Sequence, residues 1–95
     1  MNDRQNKSEQ LLIQMQQALN DMEESYKQVK LAEEAVAEAT ENLRLNEDYY
    51  KAGTVTLTDL LDAQSFLQQT RDRYTESITV YRFKRSNYLQ VTGRY

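Results

Sequence analysis

The stretch YYKAGTVTLTDLLDAQ, residues 49–64, interrupts a chain that is otherwise rich in Gln, Glu, Lys and Ala. It contains Gly53, at a place where a helix that ends calls for a left-handed residue. Thr56 is suited to cap a second helix, and Asp59, three residues later, completes a T-x-x-D variant of the capping box. The stretch therefore predicts a tight turn between two helices at residues 52–56.

The sequence on both sides of this turn has the seven-residue repeat of a coiled coil. Such a repeat keeps one seam of a helix against a partner and implies left-handed supercoiling. Small residues follow most members three positions later, which lets the partner backbone approach closely. The repeat consists of Met15, Met22, Val29, Val36, Leu43 and Tyr50 before the turn and Leu60, Leu67, Tyr74, Tyr81, Tyr88 and Tyr95 after it, with small residues at Ala18, Ser25, Ala32, Ala39, Ala63, Thr70 and Ser77.

The predicted fold is all-α, a long antiparallel two-helix coiled-coil hairpin. Its parts are a first helix over residues 1–52, a tip over 53–56 and a second helix over 57–95. Val55 before the helix cap and Leu60 after it are spaced for a hydrophobic staple. The second helix has further apolar residues outside its seam, which is typical of a helix with a second neighbour. An apolar content of 39% is below the roughly 45–50% of an average domain, so an elongated chain that needs partners is expected.

The composition argues against an enzyme and against a zinc site. The chain has no histidine and no cysteine, the usual general base, the usual thiol nucleophile and the usual zinc ligands. Asp59 and Asp62 form a carboxylate pair on the second helix, but two carboxylates alone are few for a calcium or magnesium site. Capping explains Asp59 fully and Asp62 less well. We therefore predict no catalytic residues, no metal and no cofactor.

The charge distribution argues against nucleic-acid binding. Residues 1–52 hold 6 of the 12 basic and 11 of the 15 acidic residues of the chain. The remaining basic residues are more simply complementary to the acidic first half than arranged as a stripe for phosphates. The N-terminus has no apolar signal-peptide core, and no apolar run is long enough to span a bilayer. Taken literally, the sequence predicts a soluble chain.

Around the turn, the sequence resembles a family. The run EATENLRLNEDYYKAGTVTLTDLLDAQSFLQQTRDRY, residues 38–74, is similar to the second half of TolC-type outer membrane efflux proteins. The combination of Y-x-x-G-T with D-L-L-D-A-Q between two heptad helices is the specific part of the likeness. The final YLQVTGRY, residues 88–95, resembles the point where the family's second helix ends at a glycine.

The resemblance implies a setting for the hairpin. In that family, three chains form an outer-membrane β-barrel that continues as an α-helical tunnel through the periplasm. Hairpins of this kind close the periplasmic end of the tunnel, and their tips meet periplasmic adaptor proteins that link the tunnel to an inner-membrane pump. The resemblance thus implies a homotrimer in the outer membrane, with this segment in the periplasm, and a chain that is one hairpin of a longer parent.

The tip residues can be compared with the family one by one. Gly53 and Thr54 match the G-T at the turn, which implies contact with the adaptor. Ala52 stands where a small apolar residue is usual. Val55 departs from members that have an arginine there, whose ion pair helps to lock the mouth, so the resemblance does not carry that latch to this chain.

Three further residues match positions at the closed mouth. Tyr50 matches a tyrosine in the links that hold the mouth shut. Asp59 and Asp62 match aspartates that face the pore and form an acidic constriction. Carboxylates repeated around a trimer favour cations in a narrow opening.

A free-standing coiled-coil scaffold, whose hairpins dimerise or tetramerise into a bundle, is the alternative function. The tip separates the two hypotheses. A generic scaffold has no need for Tyr50, Gly53–Thr54 and the aspartate pair together.

Overall fold

The protein folds as two long helices joined by a five-residue connection. The computed structural model describes the backbone of residues 3–93 and the side chains of residues 7–93. Helix α1 is Asp3–Lys51 and helix α2 is Leu57–Gly93. The helices pack antiparallel against each other as a rod with extents of 77 × 15 × 15 Å. The predicted all-α antiparallel hairpin is confirmed.

Both helices are long because the sequence contains almost nothing that breaks a helix. Proline is absent from the whole chain, and the two glycines are Gly53 and Gly93. Gly53 lies in the connection, and Gly93 is the last residue of α2. Glycine and proline weaken a helix interior more than other residues do. Their positions therefore leave 49 and 37 residues free to form uninterrupted helix.

A single seam joins the helices, and its most buried side chains are mostly small. Buried and half-buried residues recur at alternating spacings of three and four, in α1 from Leu11 to Asn46 and in α2 from Leu60 to Val91. This is the pattern of knobs-into-holes packing, and it confirms the heptad seams predicted from the sequence. The buried members are Ala18, Ser25 and Ala39 of α1 and Ala63, Leu67 and Thr70 of α2.

Hydroxyl groups in the seam are satisfied inside their own helices. The Ser25 hydroxyl donates to the carbonyl of Met22 at 2.8 Å, and the Thr70 hydroxyl donates to that of Leu67 at 2.7 Å. A buried hydroxyl without a partner costs about 1–3 kcal/mol. These local bonds remove that cost, so small polar residues can take the places of alanine without a partner from the opposite helix.

An aromatic contact midway along the rod reports the pairing register. The rings of Tyr26 and Tyr81 lie with centroids 5.6 Å apart and planes inclined by 58°. Tilted pairs of this kind are favourable beyond their buried area. Tyr26 is 27 residues before Gly53 and Tyr81 is 28 residues after it. The helices therefore run back from the turn in step, without a slip.

Packing does not extend to the whole heptad series. Tyr50, the last member in α1, is 37% exposed, because the buried seam of that helix ends before the turn. Tyr95, the last member in the second series, lies outside the described residues. At the end of the hairpin away from the turn, Leu12 and Ile13 of α1 are each 59% exposed. They lie close to the level at which α2 ends, at Gly93.

Candidate functional site

The tip is closed by hydrogen bonds from the end of α1. The amide of Gly53 donates to the carbonyl of Tyr50 at 3.0 Å, and the amide of Thr54 donates to that of Tyr49 at 2.9 Å. Together these two bonds form a Schellman motif. Gly53 has a φ of +78°, a conformation that costs other residues about 1–2 kcal/mol. The Thr54 hydroxyl adds a further bond to the Tyr49 carbonyl at 3.0 Å.

The start of α2 is closed by the predicted capping box. The amide of Asp59 donates to the Thr56 hydroxyl oxygen at 3.1 Å, and the amide of Thr56 donates to Oδ2 of Asp59 at 3.1 Å. Two amides that would otherwise lack partners at the helix start are thereby paired. The negative carboxylate also lies at the positive end of the helix dipole. One oxygen of Asp59 is thus committed to holding the turn.

The surface around the tip combines two large aromatic side chains with several small residues. Tyr49 is 50% exposed and Tyr50 is 37% exposed. Ala52, Gly53 and Thr54 are also exposed. Local hydrogen bonds hold the backbone of the turn, and these side chains are left at least partly exposed.

Val55 differs from the other tip residues because it is half-buried. Leu60, its predicted staple partner, is half-buried as well. By contrast, Leu57 and Leu61, two nearby leucines of the same helix, are 54% and 50% exposed. This burial is what a staple requires. Direct contact between Val55 and Leu60 stays a prediction.

Below the tip, a groove with polar and apolar walls lies between the helices. It is an open cavity of about 440 Å³ lined by residues of both helices. The side-chain amide of Asn46 donates to the backbone carbonyl of Asn42 at 2.8 Å and lies 3.3 Å from the side-chain oxygen Oδ1 of Asn42. The lining residues are Asn42, Asn46, Asp59, Asp62, Ala63 and Phe66.

The two aspartates differ in what they do inside the hairpin. Asp59 caps α2, whereas Asp62 has no hydrogen bond or ion pair to any described side chain or to the described backbone. Both are exposed and open into the same groove. Exposed carboxylates beside amide groups can attract cations. Within residues 7–93, no three Asp, Glu, His or Cys side chains are grouped to hold a metal ion.

A charged cluster lies on α1 at the level of the groove. The Arg44 guanidinium donates to Glu41 at 2.6 and 3.0 Å and to Asp48 at 3.3 Å. Its hydrogen bond holds the pKa of Glu41 below the usual value, with Coulomb attraction in the same direction. The same hydrogen bond raises the pKa of Arg44. All three side chains are more than half exposed, so this cluster is a minor contributor to stability.

The structure brings together some of the predicted site residues and not others. Asp59 and Asp62 share the groove, and Tyr50 is not among the residues that line it. Asn42 and Asn46 were not predicted, although their spacing of four on a helix with a known seam places them side by side. The Tyr26–Tyr81 contact was also missed, since Tyr26 lies outside the heptad series.

Comparison with known proteins assigns the family. A family model described as outer membrane efflux protein matches residues 2–78. The match covers most of the 95-residue chain, and the chain therefore belongs to the outer membrane efflux protein family. No curated protein and no solved structure matches the chain.

Membership of the family sets the broad function. Its members are outer membrane efflux channels and not enzymes, which agrees with the predictions from the sequence. They are generally trimeric and work with an adaptor and a pump. In the part of the chain described here, neither helix contains a stretch that could cross a membrane.

Proposed function

We propose that this hairpin forms the periplasmic entrance of a trimeric outer membrane efflux or secretion channel. Its tip, residues 52–55, docks on a periplasmic adaptor that connects the channel to an inner-membrane pump. Asp59, Asp62 and Tyr50 belong to the constriction at the entrance. The observation that carries this proposal is the exposed aromatic tip on a hairpin of the efflux family.

The construction of the tip supports docking. A Schellman motif and a capping box fix the backbone of the turn, so little conformational entropy is lost when a partner binds. Tyr49 and Tyr50 offer rigid apolar area with a polar end, the type of side chain that dominates binding energy in many interfaces. Ala52 and Gly53 let a partner backbone come close.

The chemistry of the groove supports an ion-selective entrance. Asp62 is exposed and not engaged in a hydrogen bond or ion pair within the described hairpin, so its charge is available to passing ions. Threefold repetition would bring six carboxylates, from Asp59 and Asp62 of each chain, to one opening. Carboxylates lining a narrow opening concentrate negative potential and favour cations.

Bilayer conductance of the full-length channel tests the entrance. Asp62→Asn removes a charge without removing a hydrogen bond of the hairpin, and we expect it to lower selectivity for cations. Asp59→Asn with Asp62→Asn should lower selectivity further and weaken block by divalent cations. Asp72→Asn, on the same helix outside the groove, is the matched control. Unchanged selectivity in the double variant would overturn the assignment of both aspartates to the pore.

Cross-linking in cells tests the docking of the tip. The described sequence has no cysteine, so Ala52→Cys introduces one defined attachment point at the exposed turn. We expect a short heterobifunctional reagent, reactive to thiols at one end and to amines at the other, to join the introduced thiol to lysine side chains of the adaptor. Ser86→Cys, exposed and far along α2, is the matched control. Equal adducts at both positions, or none at residue 52, would contradict docking through the tip.

A further inference from the structure

A small cavity lies beside the seam, midway along the rod. It has a volume of about 280 Å³ and is lined by Met22, Glu23, Tyr26 and Lys27 of α1 and by Tyr81 of α2. We call it the tyrosine cavity. Its volume is close to the lower end of the range for ligand pockets, roughly 300–1,000 Å³. The cavity therefore suits a small molecule with one ring system and a short polar chain.

The apolar wall of the tyrosine cavity consists of two aromatic rings and a thioether. The rings of Tyr26 and Tyr81 have centroids 5.6 Å apart and planes inclined by 58°. Tyr26 is 47% exposed, so part of its ring is open to a third partner. Met22 is half-buried beside them, and its sulfur is a favourable neighbour for an aromatic ring. This wall favours a ligand with a flat aromatic group.

The ring of Tyr26 is held in place before any ligand arrives. The Lys30 ammonium lies 5.5 Å from the centroid of that ring, within the range of a cation–π contact. Lys30 is not among the residues that line the cavity, so this contact fixes the ring without filling the space. A side chain that is already ordered loses little conformational entropy when a ligand binds.

The polar wall of the tyrosine cavity has one charge of each sign. Glu23 and Lys27 are exposed and lie one helical turn apart. Their spacing of four allows a pair on a helix surface, but within the described residues neither is in an ion pair. A simple anion or cation would be attracted by one of these groups and repelled by the other. A ligand with both an ammonium and a carboxylate can satisfy both.

The tyrosine cavity is separate from the groove below the tip. Asn42, which lines that groove, precedes the seam residue Leu43, whereas Tyr26 follows the seam residue Ser25. In a heptad pattern these two positions lie on opposite sides of the seam. An occupant of the tyrosine cavity therefore does not need the groove or its aspartates.

We propose that the tyrosine cavity binds small aromatic zwitterions, the class of compound to which aromatic amino acids belong. The ring of the ligand packs on Tyr26, Tyr81 and Met22, its carboxylate faces Lys27 and its ammonium faces Glu23. The dissociation constant is about 1 mM, the scale set by the ligand efficiency of small molecules at an open site. This proposal goes beyond the entrance function and does not depend on it.

Titration of the 95-residue chain with matched ligands gives the first test. Tryptophan carries both charges, 3-indolepropionate lacks the ammonium and tryptamine lacks the carboxylate. The chain contains no tryptophan, so indole fluorescence reports the ligand alone, and NMR shifts of the labelled chain locate it. We expect tryptophan to bind about two- to fivefold more tightly than either analogue, the scale of one exposed charge contact.

Two results of this titration would overturn the proposal. Equal or tighter binding of either analogue would refute the zwitterion as the preferred ligand. Absence of shifts at Tyr26 and Tyr81 with tryptophan at about 10 mM, ten times the expected dissociation constant, would refute the site.

Charge removal gives the second and sharper test. Glu23→Gln should weaken tryptophan and tryptamine by about two- to fivefold and should not weaken 3-indolepropionate. Lys27→Gln should weaken tryptophan and 3-indolepropionate by the same factor and should not weaken tryptamine. Glu34→Gln and Lys51→Gln, at exposed positions that do not line the cavity, are the matched controls. An equal change for all three ligands in either cavity variant would refute the placement of the two charges.

Ring removal tests the aromatic wall. Tyr26→Leu should weaken tryptophan at least about threefold through loss of the aromatic contact. Because Tyr26 is 47% exposed, we expect the hairpin to remain helical by circular dichroism. Phe83→Leu removes a ring that is 70% exposed on α2 and should leave binding within about twofold. Unchanged binding in Tyr26→Leu, or an equal loss in Phe83→Leu, would show that tryptophan does not use the tyrosine cavity.

Discussion

The tip and the shaft of the hairpin are held together in different ways. The tip and the helix ends beside it, residues 49–60, are held by hydrogen bonds between groups at most five residues apart. The shaft, in which the seam of α1 from Leu11 to Asn46 pairs with that of α2 from Leu60 to Val91, is held by contacts between side chains from distant parts of the chain, as Tyr26 and Tyr81 illustrate. Local bonds leave the tip side chains free to meet a partner, whereas the shaft uses its seam residues to form the fold.

This difference explains how two adjacent aromatic side chains can remain partly exposed beside the turn. A coiled coil stabilises itself through residues that it buries. A Schellman motif and a capping box stabilise a turn through backbone groups and two short polar side chains. The side chains of Tyr49 and Tyr50 take no part in these hydrogen bonds and are 50% and 37% exposed.

The largest expected effect is in the shaft. Leu67 is the one large apolar side chain among the buried seam residues, at 6% exposure. Leu67→Ala should lower the free energy of unfolding by about 2–5 kcal/mol because it removes buried area and leaves a cavity. Urea denaturation followed by circular dichroism measures this. Leu61→Ala, at an exposed position of the same helix, should cost less than about 1 kcal/mol. Equal losses would contradict the single-seam account.

Glycine substitutions compare the turn with the end of the shaft. Gly53→Ala should destabilise by about 1–2 kcal/mol because φ is +78°, although nothing lies within 4 Å of the added Cβ. Gly93→Ala should have no such cost, because Gly93 has no left-handed φ. As the last residue of α2, it should change stability by less than about 0.5 kcal/mol. Thermal unfolding should show a clear loss of stability for Gly53→Ala alone, and a stabilising Gly53→Ala would contradict the described turn.

Loss of the capping box should lower the free energy of unfolding slightly less than Gly53→Ala does. Thr56→Ala removes the hydroxyl that accepts the Asp59 amide and should cost about 1 kcal/mol. Thr58→Ala, two residues further along and without a role in the cap, is the control. A double-mutant cycle with Asp59→Ala should give a coupling energy above about 0.5 kcal/mol. Strict additivity would show that the two side chains do not act as one cap.

The smallest effect is at the exposed cluster on α1. Arg44 lowers the pKa of Glu41 in the folded protein, so this pair stabilises the fold above the unfolded pKa of that carboxyl. The contribution is lost as pH falls through the lowered folded pKa. Arg44→Gln should raise the pKa of Glu41 in a carbon-detected NMR titration, and Lys30→Gln should leave it unchanged. A Glu41 pKa that does not respond to Arg44→Gln would show that the ion pair does not form in solution.

Much of the tip could be predicted from the sequence alone. Gly53, Thr56 and Asp59 act through rules that involve only near neighbours in the chain, so their spacing was sufficient. The seams followed from the seven-residue repeat for the same reason. Tyr50 shows where this reasoning stops, because its heptad position did not reveal that packing ends before the turn.

The groove and the tyrosine cavity needed the tertiary structure. Asn42 and Asp62 are 20 residues apart in the chain, and only the pairing of the helices brings them to one cavity. The sequence by itself determined two helices, their turn and their seams, because backbone hydrogen bonds and side-chain periodicity are local. The fold decided which flank of α1 lies beside which flank of α2, because that depends on direction and register of packing across the seam.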